Sequence, residues 1–154
     1  MPKTIIIGIG NEFRGDDAAG LVIARRLRSA VGESALILEH NGEGASLMEV
    51  WRGYDMVILL DAVKTSAEPG QIFTFDASSE SLPTKLFHYS THAFSIAEAV
   101  EMARALSRLP ERVFVYGVQG KSFDAGASLS DEVESAVDKI VLLVLDHLNL
   151  LSSH

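Results

Sequence analysis

The feature that most constrains the fold is an uninterrupted apolar run near the N-terminus that leads directly into glycines. The run Ile5-Ile6-Ile7-Gly8-Ile9 is followed by Gly10 and Asn11. A β-branched run without polar alternation predicts a strand that is covered on both faces, as in a parallel sheet. In residues 16–30 the apolar side chains then recur at helical spacing. The opening of the chain therefore predicts a strand, a glycine-rich loop and a helix.

Similar apolar runs alternate with helical stretches along the rest of the chain, which predicts α/β layering. Further strands are predicted at 35–39, 56–61, 71–76 and 112–117, and helices at 45–50, from Ser95 to a stop at Leu109-Pro110, and from Ser130 onward. The strand at 71–76 alternates with period two, which indicates a more exposed antiparallel strand at the edge. We expect one domain over residues 1–154 with a three-layer α/β/α fold. Its central sheet is expected to be mostly parallel, with about five strands and one antiparallel strand.

Composition excludes several classes of chemistry. The 154 residues include 13 Lys and Arg, 21 Asp and Glu, a formal net charge of −8 and no cysteine. Without cysteine the chain has no thiolate nucleophile and no thiolate metal site, so a bound metal would meet oxygen and imidazole ligands. The negative charge argues against nucleic acid and anionic membranes as partners. The N-terminal apolar run is too short for a signal peptide or a membrane span, so we expect a cytoplasmic protein.

Polar residues lie at the sheet edge where open α/β proteins usually bind ligands. Asp16-Asp17 begin the first helix, Asp61 ends the third strand, and His88 and His92 lie in a loop before a later helix. A helix N-cap explains one Asp of the pair, which leaves the other free to face a cation. Asp61 is either a cap for the following turn or a ligand. The spacing of the two histidines is weak evidence because they lie in a loop, so surface or core roles stay open for them.

Other ligand motifs fit poorly. Gly8-Ile9-Gly10 follows a strand as in a dinucleotide-binding fingerprint, but Phe13 stands where the third glycine should be, and the Asp pair would repel a phosphate. Residues 117–122 lack the first glycine of a P-loop, and the chain has no nucleophile elbow and no HExxH motif. No organic cofactor is expected. Two carboxylates and an imidazole suit a borderline divalent ion such as nickel, zinc or cadmium, and His40 and His88 are open candidates for an assisting role.

The chain also contains an ordered set of short motifs. They are Gly8-Ile9-Gly10-Asn11 with Gly15-Asp16-Asp17 and Gly20, Leu60-Asp61-Ala62-Val63 with Glu68-Pro69-Gly70, Ser90-Thr91-His92 leading into Ala97-Glu98-Ala99, Val115-Tyr116-Gly117-Val118-Gln119-Gly120-Lys121, and Leu129-Ser130-Asp131-Glu132-Val133. This set resembles the hydrogenase maturation proteases, nickel-dependent endopeptidases that process the large subunit of [NiFe] hydrogenases. Each segment is short, but together they span nearly the whole chain in the family's order.

The resemblance implies a site and a reaction. Family members bind nickel through an acid at the first helix start, an Asp at the end of the third strand and a later His, and the matching residues are Asp17, Asp61 and His92. These three are the expected metal ligands and catalytic residues, while Asp16 keeps the capping role. The nickel belongs to the substrate, a large-subunit precursor from which the protease removes a C-terminal extension after a His or Arg. The ion or a carboxylate would activate the attacking water, as in a metal-dependent or aspartyl-type endopeptidase.

Two other functions stay open at this level. A non-catalytic nickel-dependent binding module or chaperone for the same precursor needs the same three side chains, so the sequence does not separate it from an endopeptidase. A nucleotide-binding α/β domain would place a phosphate at residues 8–15. If one ion is to be held, the side-chain ends of Asp17, Asp61 and His92 should converge within about 6 Å.

Overall fold

The computed structural model describes residues 3–83 and 94–152, and the elements within these ranges alternate as expected for an α/β protein. The strands are β1 (Thr4–Ile9), β2 (Leu36–His40), β3 (Met56–Val63), β4 (Ile72–Asp76) and β5 (Arg112–Gln119). The helices are α1 (Ala19–Val31), α2 (Gly44–Val50), α3 (Ile96–Ala105) and α4 (Asp131–Ser152). A short 3-10 turn, Gly15–Ala18, precedes α1.

The strands form one sheet in the order β2-β1-β3-β5-β4. The first four of these are parallel to their neighbours, and β4 pairs with β5 in the antiparallel direction at the edge. The apolar side chains of α1 and α4 pack on one face of the sheet, and those of α2 and α3 pack on the other. The predicted three-layer α/β/α architecture with one antiparallel edge strand is therefore confirmed.

The apolar run of β1 is buried on both faces of the sheet. Ile5 and Ile7 belong to the core shared with α2 and α3, whereas Ile6 belongs to the core shared with α1 and α4. Because successive strand side chains point to opposite faces, only a run without polar alternation can serve both cores. Within the described residues, none of the helices combines the length and apolarity that crossing a bilayer requires.

Several predicted boundaries differ from the observed ones. The first helix begins at Ala19 rather than at Asp16, because the Asp pair lies in the 3-10 turn. The strand β3 continues for two residues beyond Asp61, since its pairing with β5 extends to Val63. The helix α3 ends at Ala105, well before Pro110, because Ser107 adopts a left-handed conformation with φ of 57°.

Two glycines set the distance between α1 and the sheet. A β carbon at Gly20 would clash with the carbonyl oxygens of Leu60 and Ile9, and one at Gly8 would clash with Gly20 and Ala24. The helix therefore lies directly on the backbones of β1 and β3. Such a close approach is possible because glycine has no side chain. This contact brings the turn before α1 next to the end of β3.

Candidate active site

A cleft of about 530 Å³ opens beside the carboxyl ends of β1, β2 and β3. Both Asp17 and Asp61 line it, so the structure places two of the three predicted site residues at one cavity. The other polar side chains that line the cleft are Asn11, Glu12, Arg14, Arg25, Glu39, His40, Asn41 and Ser95. Its position matches the rule that ligands of open α/β sheets bind at the carboxyl ends of the strands.

Asp17 is positioned by the backbone of the 3-10 turn. Its N–H donates to the Arg14 carbonyl at 3.1 Å, and its carbonyl accepts from the Asn11 N–H at 3.3 Å. A β carbon at Gly10 would clash with the Asp17 carbonyl, so the closed turn requires glycine there. Burial raises the pKa of Asp17, while the positive charge of Arg14 and a hydrogen bond from the Asn11 backbone lower it.

Asp61 lies inside β3, and its backbone is opposite Gly117 of β5. Its Oδ1 accepts a hydrogen bond from the Ala62 N–H at 2.8 Å. Loss of hydration raises the pKa of Asp61 well above its usual range, the nearby charge of Asp17 raises it further, and the Ala62 hydrogen bond lowers it. The charge of Asp17 thus opposes the ionisation of Asp61, which is the electrostatic condition that a bound cation relieves.

His40 also lines the cleft, but its ring organises the loop that follows β2. The Gly42 N–H donates to Nδ1 at 2.9 Å, and Nε2 lies 2.9 Å from the Ser46 hydroxyl. Since Nδ1 accepts, the proton is assigned to Nε2, which donates to Ser46 and gives a neutral ring. With both nitrogens in hydrogen bonds, His40 in this arrangement supplies no lone pair to a metal.

The remaining predicted site residue, His92, lies outside the described residues, as does His88. Among residues 3–83 and 94–152, no three His, Asp or Glu side chains are grouped closely enough to hold a metal ion. Within that part of the chain, the carboxylates of Asp17 and Asp61 are the pair that the structure brings together. Their role as ligands, and that of His92, stays a prediction.

Asp16 does not have the capping role that the sequence suggested. Neither the 3-10 turn nor α1 receives a side-chain cap. Instead, the fully buried Asp16 carboxylate accepts from the N–H groups of Lys121, Ser122 and Ser130 at 2.6, 3.0 and 2.7 Å, and from the Ser130 hydroxyl at 2.9 Å. The Ser130 Oγ in turn accepts from the Val133 N–H in the first turn of α4. Asp16 therefore joins the site turn to the β5–α4 loop, and we refer to this set of bonds as the Asp16 clasp.

An ion-pair network that the sequence did not predict borders the cleft. Arg25 contacts Glu12 at 3.1 Å and Glu39 at 2.7 Å, and Arg28 contacts Glu39 at 3.1 Å. The hydrogen bond from Arg25 lowers the pKa of Glu39 below its usual range.

Comparisons with known proteins agree with this architecture. Residues 23–147 match a family model described as hydrogenase maturation protease, a span that includes Asp61 and His92 and begins after Asp17. A relative from Methanocaldococcus jannaschii that is named for this family is 29% identical over 148 residues, which cover 92% of this chain and 93% of the relative.

Two solved structures have the same fold. The hydrogenase maturating endopeptidase HybD from Escherichia coli superposes with a TM-score of 0.81 at 22% identity, over 96% of this chain and 92% of HybD. The [NiFe] hydrogenase maturation protease HybD from Thermococcus kodakarensis superposes with a TM-score of 0.72 at 25% identity, over 95% of this chain and 99% of that protein. Because the family match extends over most of its length, the chain belongs to the hydrogenase maturation proteases and is an endopeptidase, a hydrolase of hydrogenase maturation.

Proposed function

We propose that this endopeptidase removes the C-terminal extension of a [NiFe] hydrogenase large-subunit precursor after nickel has been inserted, and that it recognises that nickel through Asp17, Asp61 and His92. The similar protein from Thermococcus kodakarensis is named a [NiFe] hydrogenase maturation protease, which supports the class of substrate. In this proposal the metal arrives with the substrate and leaves with the product.

The observation that carries the proposal is the pair of carboxylates at one cleft. Asp17 raises the pKa of Asp61, so a divalent cation between them would favour ionisation of both groups. Carboxylate oxygens together with the imidazole of His92 make a ligand set that nickel accepts. The three residues come from the turn before α1, from β3 and from the segment before α3.

The composition of the site supports a metal that belongs to the substrate. The chain contains no cysteine, so it offers no thiolate with which to retain nickel. Two carboxylates and one imidazole would supply only part of a coordination shell, and the precursor would supply the rest. Such divided coordination makes recognition depend on a precursor that already carries its metal.

The proposed site offers two routes to an activated water. A substrate-borne ion can lower the pKa of a bound water, and a carboxylate can accept a proton from a water that attacks the scissile carbonyl. A protonated Asp61 would serve neither route, because ligation and general-base catalysis both require the ionised form. Both routes need the precursor's peptide bond to lie in the cleft beside the carboxylate pair.

The test is to incubate the protein with a purified [NiFe] large-subunit precursor from the same organism, with and without nickel, and to follow the precursor's mass. We expect a mass loss equal to the C-terminal extension only for the nickel-loaded form. Asp61→Asn and His92→Ala should lower the rate by at least about a hundredfold, since each removes a group at the reacting centre. The matched control is Asp138→Asn, an exposed position on α4 whose side chain is 71% accessible.

The outcomes separate the alternatives clearly. A stable complex with unchanged precursor mass would contradict proteolysis of this substrate and favour a binding module. Equal cleavage of nickel-free precursor would contradict recognition of the metal. Normal cleavage by either variant would remove that residue from the proposed site.

A further inference from the structure

Phe13 is the most exposed of the large hydrophobic residues in the part of the chain that the structure describes. Its relative exposure is 71%, although it lines the same cleft as Asp17 and Asp61. A single exposed apolar residue needs no explanation by itself. The position of this one, in the loop between β1 and the site turn, puts an aromatic ring at the rim of the proposed active site.

The loop that carries Phe13 is held by hydrogen bonds on both sides of the ring. The Asn11 side chain accepts from the Phe13 N–H at 2.9 Å, and the Gly126 N–H donates to the Phe13 carbonyl at 2.8 Å. The Arg14 N–H donates to the Asn11 carbonyl at 3.3 Å, and Glu12 is paired with Arg25 at 3.1 Å. The backbone is thus fixed while the side chain remains in water, so binding to this ring would cost little ordering of the loop.

On the side of Phe13 that faces α1 and β2, four charged groups are paired within the chain. Glu12 and Glu39 are both bonded to Arg25, and Glu39 is bonded to Arg28 as well. Two acids and two bases therefore compensate each other on this side of the cleft. This side of the cleft consequently has little net charge with which to attract an ionic group. The ring of Phe13 is its apolar part, and burying the ring against a partner would be favourable.

We propose that Phe13 is a docking residue that packs against an apolar side chain of the hydrogenase precursor next to its metal site. The inference rests on the proposed function, because the same precursor must reach the cleft. Because Phe13 lines the same cleft as Asp17 and Asp61, a precursor that reaches the carboxylates would also pass the ring. Aromatic residues on rigid backbone are the common energetic anchors of protein interfaces. Phe13 would contribute to binding the precursor and would take no part in cutting the peptide bond.

The test compares steady-state processing of nickel-loaded precursor by wild type, Phe13→Ala, Phe13→Leu and Leu142→Ala. Leu142 is the matched control, since it is 64% exposed on α4 and does not line the cleft. For Phe13→Ala we expect KM to rise about tenfold with kcat nearly unchanged, because the ring would bind the substrate and the transition state equally well. The KM of Phe13→Leu should lie close to the wild-type value, because leucine keeps much of the apolar area. All four proteins should melt at the same temperature, because both positions are exposed.

Each result has a definite meaning. If wild type cleaves the precursor and Phe13→Ala has the same KM, docking through the ring is wrong while the proposed function stands. An equal rise in KM for Leu142→Ala, or a loss confined to kcat, also contradicts docking by Phe13. A wild-type protein that leaves the precursor intact overturns the proposed function, and the docking role falls with it.

Discussion

At the scale of the residue, Asp61 combines two unfavourable conditions for a carboxylate. It has lost part of its hydration inside β3, where it is half-buried, and its neighbour Asp17 has the same charge. Both conditions raise its pKa, and the single hydrogen bond from Ala62 offsets only part of the effect. Carboxylates with a raised pKa are typical of functional sites. At such a site the folded protein is less stable than it would be with an uncharged side chain.

The raised pKa of Asp61 has a predictable effect on stability. The folded protein holds the proton more tightly than the unfolded chain, so stability is greatest below the unfolded pKa and falls as pH rises toward the folded pKa. Asp61→Asn removes this loss of stability because the amide does not ionise, and its side-chain oxygen can still accept from the Ala62 N–H. In urea unfolding with EDTA present, we expect the variant to be more stable than wild type by on the order of 1 kcal/mol at about pH 7.

The gain should shrink as the pH falls toward about 4, where the wild-type side chain is protonated in the fold and increasingly in the unfolded chain. Asp138→Asn removes only an exposed ion pair with Arg26 and should change the free energy of unfolding by less than about 0.5 kcal/mol at either pH. A wild type more stable than Asp61→Asn at neutral pH would show that the carboxylate has a stabilising partner.

At the scale of the element, the Asp16 clasp connects pieces of chain that are more than a hundred positions apart. Lys121 and Ser122 are separated from Asp16 by 105 and 106 positions, and Ser130 by 114. One buried carboxylate thereby holds the turn that carries Asp17, the loop after β5 and the start of α4. The turn that carries Asp17 and the start of α4 are therefore held by the same group.

Substitutions in the Asp16 clasp should lower the free energy of unfolding, and the effects of two such substitutions should not be additive. Both carboxylate oxygens accept from N–H groups, so Asp16→Asn must point an amide N–H at another donor. We expect a loss of about 2–4 kcal/mol in the free energy of unfolding by urea. Ser130→Ala removes one bond to Asp16 and the cap of α4, at a cost of about 1 kcal/mol.

The double variant should lose less than the sum of the two single losses, because the Asp16–Ser130 contact is counted in both. Ser29→Ala, at an exposed site on α1, is the control and should change stability by less than about 0.5 kcal/mol. Additive losses would contradict a direct contribution of the Asp16–Ser130 bond.

At the scale of the whole molecule, stability comes from two apolar cores, one on each face of the sheet. Neither core requires a metal, and the proposed nickel belongs to the substrate. We therefore expect dialysis against EDTA to leave the melting temperature within about 2 °C of the untreated value, as followed by circular dichroism. A large decrease, reversed by added nickel but not by magnesium, would identify a resident structural ion instead.

The parts of the fold that the sequence predicted are those with local signals. The Ile5–Ile7 run must be buried on both faces, and the period-two pattern at Ile72–Asp76 indicates an edge strand; both assignments are confirmed. The role of Asp16 had no local signal, because its partners are distant in sequence and an Asp before a helix is typical of a cap. The strand β3 ends two residues later than predicted. A carboxylate inside a strand is unusual, so Asp61 indicates a strand end, although Ala62 and Val63 continue the apolar run.

The contact between Gly20 and the backbones of β1 and β3 bears on how the site could be moved into another protein. The spacing of the Asp17 turn from Asp61 is set by main chain against main chain, with no side chain between them to adjust it. Repacking core positions other than Ala24, which contacts Gly8, would leave that spacing intact. A designed scaffold that copied the acidic pair onto a different α/β sheet would also need the small residues at positions 8 and 20, or the turn that carries Asp17 would be held farther from the strand that carries Asp61.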